Sequence, residues 1–432
     1  MTPTTDDPLP DGTPRPLPPR RAPGPLDYAY KGLKALSSLQ LTVWLFAFSI
    51  ALVFFGTVAQ MEAGIWAVVD QYFWSWVVWV PTDLIRQFGS VFLSEWFPKD
   101  AVRWKATFPL PGGKLLGGLM LANLLAAHMV RFRLTWKRSG VILIHSGIIL
   151  LFVGEFVTRE YAVEQRMSIR QGATVNYTED SRHMELAFVD SSDPKEDKVV
   201  AIPESLLRSG GRRISDPQLP VDVEVVEYFT NSALEKVQTA AKSNPATAGT
   251  GKGIVAVKRS DVSGVDPNQK IDLPAAYVRL FDKNGGGELG TYLVALQITS
   301  MGGHEDVTAG GKTYQMNLRN IRYYKPYSLH LVEFRFDRYP GTQKAKNFSS
   351  EVILKDGDYE RQQVIKMNDP LRYAGETFYQ SSFDPDEGGT VLQVVKNPGW
   401  LIPYVSCAVV SFGMLLHFGI YLTQFLLRRA AA

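Results

Sequence analysis

Apolar residues in this chain are gathered into blocks. Residues 41–59 (LTVWLFAFSIALVFFGTVA), 115–130, 141–157 and 400–427 each approach the roughly 20 apolar residues that cross a bilayer. They predict four membrane-spanning helices. The second block is short if it starts at Leu115, so its helix is expected to begin nearer Phe108 or to sit in a thinned bilayer.

Between the third and fourth blocks the pattern changes to alternation. VDVEVVEYF at 221–229 and HLVEFRFDRY at 330–339 alternate, and residues 275–281 and 291–298 flank DKNGGGELG as a hairpin. Residues 231–253, rich in small polar types, predict a mobile loop. The expected fold class is a membrane protein with four transmembrane α-helices and a large exported β-rich domain, an antiparallel sandwich or similar layered sheet.

One segment fits neither period. Residues 64–81 pack Trp66, Trp74, Trp76 and Trp79 with Tyr72 and Phe73, which suits the headgroup region and predicts an interfacial helix on the outer leaflet. A fifth span is the alternative reading, but Asp70 and Gln71 split the run.

Charge orients these elements. The net charge of +3 is small and carries no nucleic-acid signal; its placement decides more. Arg20, Arg21, Lys31 and Lys34 precede the first block, Arg131, Arg133, Lys137 and Arg138 separate the second and third, and Arg428 and Arg429 follow the fourth. By the positive-inside rule all three clusters are cytoplasmic, so both termini lie inside and the β-rich domain outside. The predicted divisions are a disordered cytoplasmic leader at 1–36, three spans at 37–158 with an external interfacial loop at 60–113, the exported domain at 159–397, and a fourth span with cytoplasmic tail at 398–432. The leader is Pro-rich and carries Asp6, Asp7 and Asp11, unlike a transit peptide, and no cleavable signal is expected because the first apolar run begins about forty residues in.

The single cysteine, Cys407, falls in the last block, so the exported domain has no disulfide and no thiol pair. No phosphate-binding glycine loop, nucleophile motif or Cys/His metal spacing is present. Chemistry therefore rests on three histidines within apolar blocks. Helical rise puts His145 roughly 10 Å past Arg138, His128 roughly 5 Å before Arg131 and His417 roughly 16 Å before Arg428. His128 reads as an interfacial imidazole snorkelling beside Arg131, and His417 as a helix-to-helix hydrogen bond or a ligand. His145, inside VILIHSGIILLFVG with Gly147 and Gly154, is the strongest candidate, either as a heme axial ligand or as an interhelical hydrogen bond. Zinc would need more ligands, and a proton relay would bring acids nearer than Glu155. His183, His304 and His330 in the exported domain read as structural or solvated.

Several separated stretches resemble the ResB (CcsB) family of System II cytochrome c biogenesis. They are SSLQLTVWLFAFSIALVFFGTVAQ at 37–60, RFRLTWKRSGVILIHSGIILL at 131–151, MNDPLRYAGETFYQSS at 367–382 and NPGWLIPYVSC at 397–407. The resemblance implies a bacterial inner-membrane subunit that is accessory or non-catalytic within a holocytochrome c synthase. It would hold heme b transiently as substrate and pass it across the membrane. Attachment to apocytochrome c would occur together with a ResC/CcsA-type membrane subunit. His145 maps onto the family's transmembrane histidine and would bind heme iron, the second ligand coming from the other subunit or, less directly, from His417. The chain resembles the unfused form, and Trp66 to Trp79 do not match the partner's tryptophan-rich segment. Tyr379, Gln380 and Ser381 carry over as family motif residues, though packing a strand against the last span would explain them equally. Two other readings stay open: a membrane-anchored exported module that binds a protein without heme, and an ion-coupled transporter, for which intramembrane acids and inverted repeats are lacking.

Overall fold

The computed structural model describes residues 24–93, 95–96, 105–131, 135–194, 196–238, 243–262, 271–283, 285, 287–342, 345–384 and 388–431. Asp6, Asp7, Asp11, Arg20, Arg21 and Arg133 lie outside the described residues. Among the described residues four helices are long and apolar enough to cross a membrane, as the blocks predict: α2 (Leu39–Ala59), α5 (Gly113–Val130), α6 (Ser139–Tyr161) and α9 (Ile402–Ala430). They leave most of their apolar surface outward, as lipid-facing helices do.

Three boundaries differ from the sequence reading. The leader was expected to lack structure to residue 36, but α1 (Pro25–Leu36) is helical. Pro25 opens it with a pre-set φ, the Asp27 carboxylate accepts the Gly24 N–H at 2.8 Å, and Lys34 stands in the last turn. The second span starts at Gly113, not near Phe108. Phe108 belongs to the strand Thr107–Pro111, whose Pro109 and Pro111 oppose a helix, and this strand pairs with Val77–Pro81. The tryptophan-rich segment is therefore no single interfacial helix. It runs as a short α3 (Ile65–Val68), a π-turn over Val69–Phe73 and that strand, before α4 (Asp83–Phe92). Val78 and Val80 face inward while Val77 and Trp79 face out, a period of two that the density of tryptophans masks.

Among the described residues the β-rich region holds two main sheets, with every pairing antiparallel. Val221–Phe229, Ala275–Asp282 and Glu288–Ala295 form most of a four-stranded sheet, including the expected hairpin. It packs on one half of a ten-stranded sheet through Leu186, Phe188, Val223, Val278, Leu280 and Leu318, the core of a sandwich. The other half of the large sheet builds a second core around Met167, Leu329, Leu331, Val352, Phe378 and Leu392. Two long strands, Thr174–Asp190 and Lys312–Arg338, serve both halves, and their register breaks between Tyr324 and Leu329. Pro326 lies in that break, where a residue without an N–H costs the ladder nothing. The stretch 231–253, expected to be a mobile loop, begins with the strand Ser232–Lys236, paired with Ile254–Lys258; residues 239–242 lie outside the described residues. Short helices α7 (Glu204–Leu207) and α8 (Leu296–Ser300) cap strand ends.

The sheet grows directly out of two spans. Val163–Arg170, which follows α6, pairs with Gly389–Lys396, which precedes α9, from Val163↔Lys396 onward. Below that pair α6 and α9 run against each other along their length. Gly140, Gly147 and Gly154, one every seven residues, meet His417, Val410 and Ile402; a methyl at Gly147 would stand 2.5 Å from Val410 Cγ2. Ser406, Gly413 and Ile420 repeat the spacing on α9, and Ser406 donates to the Gly147 carbonyl. Small residues on a seven-residue repeat let two backbones approach closely in lipid.

Candidate functional site

The site lies where α5 meets α6, a narrower contact than that between α6 and α9. His145 is half-buried on α6, and its ring is edge-to-face with that of His128 on α5, with centroids 5.4 Å apart and planes at 82°. Depth along the chain suggested otherwise, since the two residues lie three and seven positions from their flanking arginines. Helical side chains lean toward their own N-terminus. In antiparallel helices His128 thus leans away from the basic end and His145 toward it, and the rings converge. His128 Nδ1 lies 2.9 Å from the Leu124 carbonyl, one turn deeper into α5, which corrects the snorkelling reading.

His417 is seated elsewhere. It rests on Gly140, five residues and about 7.5 Å of helical rise from His145. Its ring is 4.8 Å from that of Tyr421, and its Nδ1 is buried with no hydrogen-bond partner among the described residues. The histidines of the β-rich region stay dispersed: His183 beside Asp180, His304 beside Asp306, and His330 Nδ1 2.9 Å from Thr174 Oγ1. Among the described residues no cluster of three or more His, Cys, Asp or Glu could hold a metal ion.

Asn123 and Arg131, by contrast, are tied down. Asn123 of α5 donates to the Leu36 and Ser38 carbonyls and accepts from Thr42 at 2.8 Å, which binds α5 to the junction of α1 and α2. Arg131 donates to Ser37 Oγ at 3.2 Å. Thus α1, α2 and α5 form one unit and α6 and α9 another, with His128 and His145 on the seam.

At the opposite end, the segment between α2 and α5 clasps the last turn of α6 and the β-rich region. Arg159 pairs with Asp70 at 2.9 Å and lies over the Trp74 ring at 4.7 Å, while Arg182 stacks on Trp66 at 3.3 Å. These tryptophans serve as cation–π platforms. A cavity of about 350 Å³ opens at the foot of the β-rich region, lined by Arg372, Glu376, Tyr379, Asn397 and Trp400. Arg372 lies 4.5 Å over Trp400, and Tyr379 is exposed toward the same space. Gln380 is occupied otherwise: it accepts from Ser350 at 2.6 Å and donates to Thr390 at 2.8 Å, while Ser381 is exposed. Nothing in the alternation of this strand points to the groove, because its walls, Arg372 and Trp400, are 28 positions apart.

Residues 293–391 match the ResB-like family. That segment covers the end of the four-stranded sheet, the long strand and the 376–383 strand, and stops short of all three intramembrane histidines. Over 92 residues the chain is 37% identical to Protein NrfI of Wolinella succinogenes, a stretch amounting to 21% of this chain and 10% of that protein. The family match bears out, over residues 293–391, the resemblance to the ResB family read from the sequence.

Proposed function

With a ResB-like segment on a four-span membrane scaffold as premise, we propose that this chain is a cytochrome c biogenesis subunit that holds heme at His145. It passes the heme across the membrane for attachment to apocytochrome c, working with a ResC/CcsA-type subunit. The observation that carries the reading is the meeting of His145 and His128 on the seam between two helix units, within an apolar layer. Imidazole nitrogen is an axial ligand for heme iron, and the macrocycle suits a dry apolar site. Lys137 and Arg138 stand toward the basic end of the same helix, where heme carboxylates meet water. The basic clusters place that end in the cytoplasm and the β-rich region outside.

On this reading the chain contributes binding and positioning, and the covalent chemistry belongs to the complex. The strand pairs that continue α6 and α9 hold the β-rich region over the exit side of the seam. The test is cytochrome c maturation in cells carrying His145→Ala. Maturation should fall at least tenfold and recover on adding imidazole, with the protein still inserted; normal maturation without imidazole refutes the assignment.

A second reading, a membrane-anchored module that engages an external partner without heme, draws on the Arg372 and Trp400 groove. Purified protein with its membrane partner separates the two, since only a heme-holding complex shows a Soret band.

A further inference from the structure

We infer that the groove beside Trp400 binds the headgroup of an anionic phospholipid from the leaflet on the β-rich side. The inference stands apart from the heme reading and gives the groove to lipid. Strand register builds its floor. Arg372 is opposite Thr377 and Thr377 opposite Val395, so three side chains line up across the outer face of neighbouring strands, while Phe378, Leu392 and Val394 turn into the core. The first two of these strands are joined by Ala374 and Gly375 alone, both at positive φ (48° and 77°), which keeps the hairpin tight at this end of the sheet. Tyr379 extends the same face, and Trp400 closes the groove from the turn that leads into α9.

The same register fixes its depth. Val395 adjoins Lys396, whose pairing with Val163 is where the sheet joins α6 and α9. At the head of α9 the exposed rings of Trp400 and Tyr404 stand edge-to-face, 6.2 Å between centroids, an aromatic pair of the kind that settles at headgroup level. Leu401 and Val405, exposed beside them, continue into the apolar layer. The groove therefore opens where lipid phosphates lie.

Charge selects the headgroup. Arg372 lies over the Trp400 ring and has no ion pair or hydrogen bond among the described residues, so its N–H groups remain available to a phosphate. Glu376, the acid among the lining residues, is neutralised by Lys325 at 2.6 Å and accepts the Tyr327 hydroxyl. A choline or ethanolamine headgroup thus meets no spare carboxylate, and the Trp400 face that would take its ammonium already carries Arg372. A phosphodiester with a hydroxylated headgroup meets the guanidinium and the Thr377 and Tyr379 hydroxyls. The cavity of about 350 Å³ falls within the roughly 300–1,000 Å³ of ligand pockets.

The test is native mass spectrometry of the delipidated full-length chain in detergent, titrated with dioleoylphosphatidylglycerol, dioleoylphosphatidylcholine or soluble glycerophosphate. The wild-type chain should bind phosphatidylglycerol about tenfold more tightly than phosphatidylcholine, the discrimination expected of one charge-assisted contact. Equimolar glycerophosphate, which lacks acyl chains, should not compete. Arg372→Gln and Trp400→Leu should each weaken phosphatidylglycerol binding about tenfold, leaving phosphatidylcholine binding and the β-sheet circular dichroism signal unchanged. Equal binding of the two lipids by the wild-type chain overturns the inference, as does an undiminished preference in Arg372→Gln. Competition by glycerophosphate makes the groove a site for a free phosphate ester and overturns the lipid assignment. Loss of the copurifying membrane partner from both variants, with the lipid preference intact, gives the groove to a protein and overturns it too.

Discussion

Ser406 of α9 gives its hydroxyl hydrogen bond to the carbonyl of Gly147 on α6, where the two helices pack closely. Helices in lipid gain little from apolar burial against each other, so close packing and hydrogen bonds between backbones must hold the pair. Losing the hydroxyl in Ser406→Ala should cost about 0.6 kcal/mol, a typical value for such bonds. Gly147→Leu should cost more, about 2 kcal/mol or beyond, because its side chain would enter space filled by Val410. Thermal unfolding in detergent checks both. Equal, negligible effects would show that the glycine repeat does not set the packing.

How far the chain could be read in advance follows from the range of each signal. Apolar blocks and alternation act locally, and they located the four spans, the 275–295 hairpin and the 221–229 strand. The second span does not reach back to Phe108, because Pro109 and Pro111 bar the helix there. Lys312–Arg338 alternates plainly in the sequence only from His330 onward, because a register break at Pro326 lies inside the longer strand. Depth alone puts His128 at the interface; the lean of side chains toward helix N-termini brings it to His145. The Arg372 and Trp400 groove depends on tertiary pairing and has no local signature.

The second core contains a polar knot. Lys325 Nζ is 2.6 Å from Glu376 Oε1, Tyr327 donates to the other carboxylate oxygen, and both charged side chains are nearly buried. Burial, and then the bond to Glu376, push the Tyr327 hydroxyl above its ordinary range, so it stays a donor. Removing one charge strands the other. Lys325→Met should therefore destabilise the β-rich region by about 3 kcal/mol, and Lys325→Met with Glu376→Leu should recover much of that loss. Denaturant unfolding followed by the β-sheet circular dichroism signal measures it; a single variant as stable as wild type contradicts the account.

Asp190 gives a signed pH dependence. Lys312 at 2.8 Å, followed by the Ser192 hydroxyl and N–H, holds its carboxyl down at about 2, from an ordinary 3.8. A depressed carboxylate stabilises the fold above its unfolded value, and that contribution disappears as pH falls through the folded value. Melting temperature should drop between pH 4 and 2, and less steeply in Asp190→Asn. Parallel slopes would remove Asp190 from the acid response.

Topology is tested with reporter fusions. Alkaline phosphatase joined after Gly302, in the β-rich region, should be active, and joined after Arg429 inactive, because the three basic clusters favour the cytoplasm. The reverse pattern would turn the molecule over and take the basic end of α6 out of contact with cytoplasmic heme.

The most direct test of the central claim is the visible spectrum of the complex purified with its ResC/CcsA-type partner, from cells making either the wild-type chain or His145→Ala. The account predicts a Soret band and copurified heme with the wild-type chain. His145→Ala should lower both at least fivefold at equal protein yield, and imidazole added during growth should bring them back. An undiminished Soret band in the His145→Ala complex would contradict it.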